Sequence, residues 1–210
     1  MLAHNLVTIS SSIVDALKKH ELFPEVLDEF TPQGLLTISY GKDLDVLLGN
    51  QLKVKDTQTL PKIQLTLDIG DDELVSTFSA LDYFTLVVTD PDAPSRTDKK
   101  WSEYCHYIKT NIKLTQSDGA KNSDFLSAQL DLNEGPDYLK YEGPGPPPKT
   151  GKHRYCFFLF KQKAEINPPP LTGRPNWGLG KPATGVREWS TKYGLEPIAA
   201  NFFYAQNETQ

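Results

Sequence analysis

Four residues of this chain have side chains that could work together as acids, bases or ligands: Asp90, Asp92, His106 and His153. The aspartates stand one residue apart in VVTDPDAPSR, between Pro91 and Pro94. If YFTLVVTD (83–90) is a strand, Asp90 and Asp92 project to one side where it ends. Pro91 fixes the backbone between them, and Pro94 stops the strand ladder. Two carboxylates so close repel each other, and a buried pair needs donors. His106, His153, Arg154, Tyr155 and nearby backbone N–H groups could supply them. The plain alternative is a turn in which both aspartates bond their own backbone. The four residues could also hold a metal, but no His-x-x-x-His or Cys-x-x-Cys pair anchors one, so no metal is expected. Nucleophilic catalysis lacks support as well. There is no Gly-x-Ser-x-Gly, and strand neighbours such as Cys105 and His106 point to opposite faces. Cys105 and Cys156 read as small buried hydrophobes. The chain is expected to be no enzyme and to need no cofactor.

The elements that would position these groups are short. LLTISY (35–40), IQLTLDI (63–69), YFTLVVTD, EYCHYIKT (103–110), RYCFFLFKQ (154–162) and PIAANFFYA (197–205) are β-branched or aromatic runs bounded by Gly, Pro, Asn or Asp. The first thirty residues read as helical, with Ser10 to Ser12 as candidate N-caps and Ile9, Ile13 and Leu17 on one face. PEVLDEF (24–30) reads as a second short helix, and VREWSTKYG (186–194) as a late one ended by Gly194. The pattern predicts a mainly β fold, an antiparallel β-sandwich with peripheral helices, in which 1–33 form an N-terminal helical segment and 34–210 the sandwich domain. Two connections, EGPGPPPKTGKH (142–153) and NPPPLTGRPNWGLGKPATG (167–185), are irregular but stiffened by proline.

At 210 residues the chain is long enough for one well-buried domain. Its formal charge of -5 argues against a nucleic-acid partner, which wants a basic face. No apolar run approaches the ~18 residues of a membrane span. The N-terminus lacks a signal-peptide pattern, and two cysteines make no disulfide framework. These features favour a reducing, cytoplasmic setting, in which the sequon Asn207-Glu208-Thr209 is inert.

DPDAPSR, WSEYCHYI and GPGPPPKTGKHRYCFFLF, in this order and spacing, resemble the three signature segments of the phosphatidylethanolamine-binding protein family, and the similarity runs from about Gly34 to Tyr204. The resemblance implies a Greek-key sandwich with a small anion pocket at one edge. Asp90, Asp92, His106 and His153 would form that pocket, with Pro94, Trp101, Pro146 and Tyr155 as walls. A phosphate-like anion or phospholipid head group would occupy it. On this reading the aspartates orient the imidazoles, whose other nitrogens face the ligand. Animal members carry a helix after the last strand, where this chain has AQNETQ; a more open mouth follows. The N-terminal segment, RPNWGLGKPATGVREW and ANFFYA are most similar to members that inhibit a vacuolar serine carboxypeptidase. That similarity implies protease inhibition, with Met1, Leu2, Ala3 and His4 entering the peptidase cleft and both cytoplasm and vacuole as locations. The other role the family implies is a phosphatidylethanolamine- or small-anion-binding module that regulates signalling proteins.

Overall fold

A computed structural model describes residues 3–68, 81–116, 125–133 and 135–210. Among the described residues, nine strands form two antiparallel sheets. β1 (Leu35–Tyr40), β2 (Leu44–Asp45), β3 (Lys62–Asp68), β6 (Leu114–Gln116) and β7 (Phe125–Leu130) make one, in the order β2-β1-β3-β7-β6. β4 (Tyr83–Asp90), β5 (Tyr104–Ile112), β8 (His153–Gln162) and β9 (Glu196–Ala205) make the other, in the order β5-β4-β8-β9. Helix α1 (Ala3–Lys19) precedes the strands, and α2 (Val186–Lys192) lies before β9.

The four-stranded sheet is covered on both faces. Leu86, Val88, Phe157, Leu159 and Phe203 pack with Leu36, Ile38 and Leu65 of the other sheet. Val87, Ile108, Phe158, Phe160 and Phe202 pack with Ile13, Leu17, Leu22 and Phe23 of the N-terminal segment and with Trp177 and Trp189. Burial on two faces explains why YFTLVV and YCFFLF are continuous apolar runs rather than alternating ones. Each fully buried Phe or Leu contributes about 1.5–3 kcal/mol of transfer free energy. The helical layer is therefore part of what stabilises β4 and β8.

Some expectations are corrected. Ser10 to Ser12 are not caps: α1 starts at Ala3, since nothing between Ala3 and Thr8 is Pro or Gly, and Ser10 Oγ donates to Pro32 O at 2.9 Å. Ile13 and Leu17 are buried, whereas Ile9 is 37% exposed. Steps of four residues drift about 40° each around a helix, which carries Ile9 off the buried face. PEVLDEF is not a helix but a single turn, in which the N–H groups of Val26 and Leu27 both reach Leu22 O. So short a segment cannot repay helix nucleation, and its buried side chains pin it instead. Strand β7, FLSAQL, carries no β-branched residue and gave no sequence signal; pairing with β3 and β6 makes it a strand. Ile69, expected to end the strand of β3, lies outside the described residues.

Candidate functional site

β4 ends at Asp90 between β5 and β8, so three distant segments meet at one sheet edge. Asp90 is 3% exposed. Its Oδ1 accepts the Asp92 N–H at 2.7 Å, and its Oδ2 pairs with His153 Nδ1 at 2.8 Å. The turn reading and the imidazole-orienting reading therefore both hold at Asp90. His153 Nε2 lies 2.9 Å from Thr150 Oγ1, which itself donates to Pro147 O at 2.7 Å. Both ring nitrogens of His153 are thus engaged within the protein. The nitrogen expected to face a ligand is not free.

Asp92 also departs from expectation. It is fully buried, and Arg154 takes both of its carboxylate oxygens, Nη2 at 2.6 Å and Nε at 2.8 Å, while the Arg154 backbone N–H donates at 2.9 Å. The alternation that put both aspartates on one side stops applying where β4 ends at Asp90. His153 and Arg154, neighbours on β8, point to opposite faces. One meets Asp90 and the other meets Asp92. Burial pulls the guanidinium pKa down, but the hydrogen bonds and charge of Asp92 outweigh it and raise it further.

His106, on β5, donates from Nδ1 to Glu142 O at 2.7 Å, because a carbonyl can only accept. Its Nε2 has no hydrogen-bond partner among the described residues. Burial is the largest influence on this ring and lowers its pKa, with Asp90 and Glu142 opposing and Arg174 assisting. A neutral ring so held presents Nε2 as an acceptor; it must take up a proton before it can donate to an anion. Tyr155 lies between the two imidazoles, its ring centroid 5.1 Å from His106 and 6.5 Å from His153. Its buried hydroxyl makes no well-formed hydrogen bond; the Gly145 N–H influences it without meeting bonding geometry. Burial lifts the phenol's pKa well above its ordinary value, so it stays a neutral donor.

These groups surround a hollow of about 220 Å³ lined by Asp90, His106, His153 and Tyr155, with Pro94, Trp101 and Pro146 as anticipated, and by Ala93, Tyr104, Glu142, Gly145 and Pro147 besides. Asp92 does not line it. The Tyr104 hydroxyl donates to Glu142 Oε1 at 2.9 Å, and burial with that bond pushes its pKa up to about 12. Neither Tyr104 nor Glu142 stood out in the sequence, although Tyr104 lies within a signature segment and Glu142 adjoins one. Arg174 was missed as well. Its Nη1 donates to Cys105 O and His106 O at 2.9 and 3.1 Å, and its Nε pairs with Glu142 at 3.0 Å, so the second Pro-rich connection braces β5. The first is tied down by the C-terminal tail. Asn207 Nδ2 donates to Pro146 O at 3.1 Å and Lys149 N to Thr209 O at 2.9 Å. The segment AQNETQ thus holds one wall of the hollow.

Both thiols are fully buried, and burial drives their pKa values well up, away from the reactive thiolate. Among the described residues no cluster of His, Cys, Asp or Glu is arranged to hold a metal. Met1 and Leu2 lie outside the described residues, and Ala3 and His4 open α1.

The chain is thus a two-sheet β-sandwich with this hollow at one sheet edge. The chain belongs to the phosphatidylethanolamine-binding protein family, whose model matches residues 27–203. It is 35% identical to the carboxypeptidase Y inhibitor of Saccharomyces cerevisiae over 215 residues, covering 96% of this chain and 98% of that one. An uncharacterised protein of the same yeast is 36% identical over 206 residues, covering 96% of each chain. Among solved structures, the crystal structure of carboxypeptidase Y inhibitor complexed with the cognate proteinase superposes with a TM-score of 0.84 at 35% identity, covering 95% of this chain and 97% of that one.

Proposed function

We propose that this chain inhibits a serine carboxypeptidase of the carboxypeptidase Y type. The observation that carries the reading is end-to-end likeness, in sequence and in fold, to an inhibitor solved with its cognate proteinase. The residues before and opening α1 would fill the peptidase cleft. A carboxypeptidase cleft is closed at one end, so a chain terminus fits it, and the apolar Met1-Leu2-Ala3 suits hydrophobic subsites. Acetylation of the terminus would remove a charge that is costly to bury. The protein would act by binding, without catalysis, in the cytoplasm and at the vacuole.

A second reading rests on the hollow, which suits a phosphate-like group or phospholipid head group and would serve regulation of signalling proteins. Tyr155 offers an unused hydroxyl there, and His106 offers Nε2 once it is protonated. The acidic chain would reach a head group by fit rather than by attraction to an anionic surface.

The test is titration of a serine carboxypeptidase with the full chain and with a form lacking residues 1–8. A terminus that fills the cleft acts as a binding hot spot, and losing it should weaken inhibition by roughly 30-fold or more. Equal potency of the two forms refutes the N-terminal mechanism. No inhibition by the full chain refutes the function.

A further inference from the structure

The hollow and the N-terminal segment are connected by one buried residue. Arg154 is fully buried. Its Nε and Nη2 hold Asp92, while its Nη1 donates at 3.0 Å to each of three acceptors: His20 O, Glu21 O and Glu25 Oε2. Those carbonyls belong to the turn that follows α1. Asp92 in turn donates its N–H to Asp90, which lines the hollow. A second connection runs in parallel. The loop from Ala93 to Trp101 walls the hollow, and its Arg96 and Lys99 pair with Glu21 and Glu25 of the same turn. One set of side chains thus fixes both the wall of the hollow and the base of α1.

The base matters because α1 is a lever. Its 17 residues span about 25 Å, with Ile13 and Leu17 buried near the clamped end and Ile9 already partly exposed. The part of α1 before Ser10, which bonds Pro32 O, is about 10 Å long, so a tilt of about 10° there would move its far end by roughly 2 Å, enough to disturb a fit to a cleft.

We propose that the hollow and the N-terminal segment form one coupled unit with Arg154 as the positioning residue, so that a phosphate-like anion in the hollow strengthens inhibition by the N-terminal segment. The proposal rests on the inhibitor reading above together with the anion-accepting hollow of the second reading, and adds regulation of one by the other. A ligand seated against Asp90 and the 93–101 loop stiffens the groups that hold residues 20–25, and a segment already ordered loses less entropy on binding. Linkage is reciprocal: the peptidase must then raise the affinity for the anion by the same factor.

The experiment measures inhibition of a serine carboxypeptidase with and without saturating O-phosphoethanolamine at matched ionic strength, alongside amide hydrogen exchange of residues 10–25 in the free protein. Coupling of ordinary size predicts about fivefold tighter inhibition with the probe, and slower exchange in that segment. Arg154→Lys keeps the charge but loses the planar fork, and should abolish both effects. Glu25→Gln, at a half-buried site, is the milder variant should the first fail to fold; it should reduce both effects. Bound probe with unchanged inhibition and unchanged exchange overturns the coupling and leaves the inhibitor reading standing. A probe that does not bind also overturns it. Absence of any inhibition sinks the inhibitor reading and with it the coupled inhibition, whatever the exchange shows.

Discussion

Asp92→Asn is the sharpest test of how the two aspartates divide their work. The Asp92 carboxylate accepts three N–H donors, all from Arg154, and both side chains have no solvent exposure. An amide keeps one acceptor oxygen but turns an NH₂ toward a guanidinium donor, leaving part of a buried cation without its counter-charge. Removing one partner of a buried pair costs about 3–5 kcal/mol. Glu25 and two carbonyls still hold Nη1, so the lower end applies, about 3 kcal/mol. That is a fall of roughly 150-fold in the folded-to-unfolded ratio, and roughly 6–12 °C in Tm for a chain of this size. Urea unfolding followed by tryptophan fluorescence measures it, with Asp90→Asn beside it. The Asp90 change should cost about 1 kcal/mol, because it weakens one bond to His153 and one to a backbone N–H, and should act chiefly on ligand binding. A loss below about 1 kcal/mol for Asp92→Asn, or equal losses for the two variants, would refute this division of roles.

Two further outcomes follow from buried groups. Tyr155→Phe deletes a hydroxyl that has no well-formed bond, so stability should stay within about 1 kcal/mol of wild type, while affinity for phosphoethanolamine falls roughly tenfold if that hydroxyl serves the ligand; calorimetry showing unchanged affinity would remove Tyr155 from the site. Glu103 accepts from Thr89 Oγ1 at 2.9 Å and from Val186 N, but burial outweighs these bonds and pushes its carboxyl up from 4.5 to about 7. The folded state then holds a proton that the unfolded state has released between these values, so stability is full below about pH 4.5 and declines as pH rises to about 7, by about 3 kcal/mol in all. Glu103→Gln should flatten the difference between urea midpoints at pH 5 and pH 8; an unchanged slope would show that Glu103 is not its source.

The residue types of this site were legible in the chain, and its wiring was not. The aspartates on a proline-stiffened turn, the histidines on flanking runs and the Pro-rich arm leading to His153 were readable because each depends on neighbours in sequence. So were six of the seven described strands of six or more residues, and α2, because packing on an apolar layer requires alternating or continuous apolar runs or a helical period. What each polar group bonds was decided across the sheet. Strand alternation ends with β4, so Asp92 turns to Arg154 and Thr150 closes off His153. Arg154 could be read as one of several donors for the aspartates, but not its choice of Asp92, and although Thr150 lies only three residues before His153, only the folded arm brings its hydroxyl to Nε2. Arg174, Glu142 and Tyr104 were unreadable for the same reason, since their side-chain partners lie 32 residues or more away. Sequence determined which groups could meet at the end of β4. The tertiary structure alone decided which of them were left unpaired at the hollow, because hydrogen bonds between distant segments exist only once the sheets have closed.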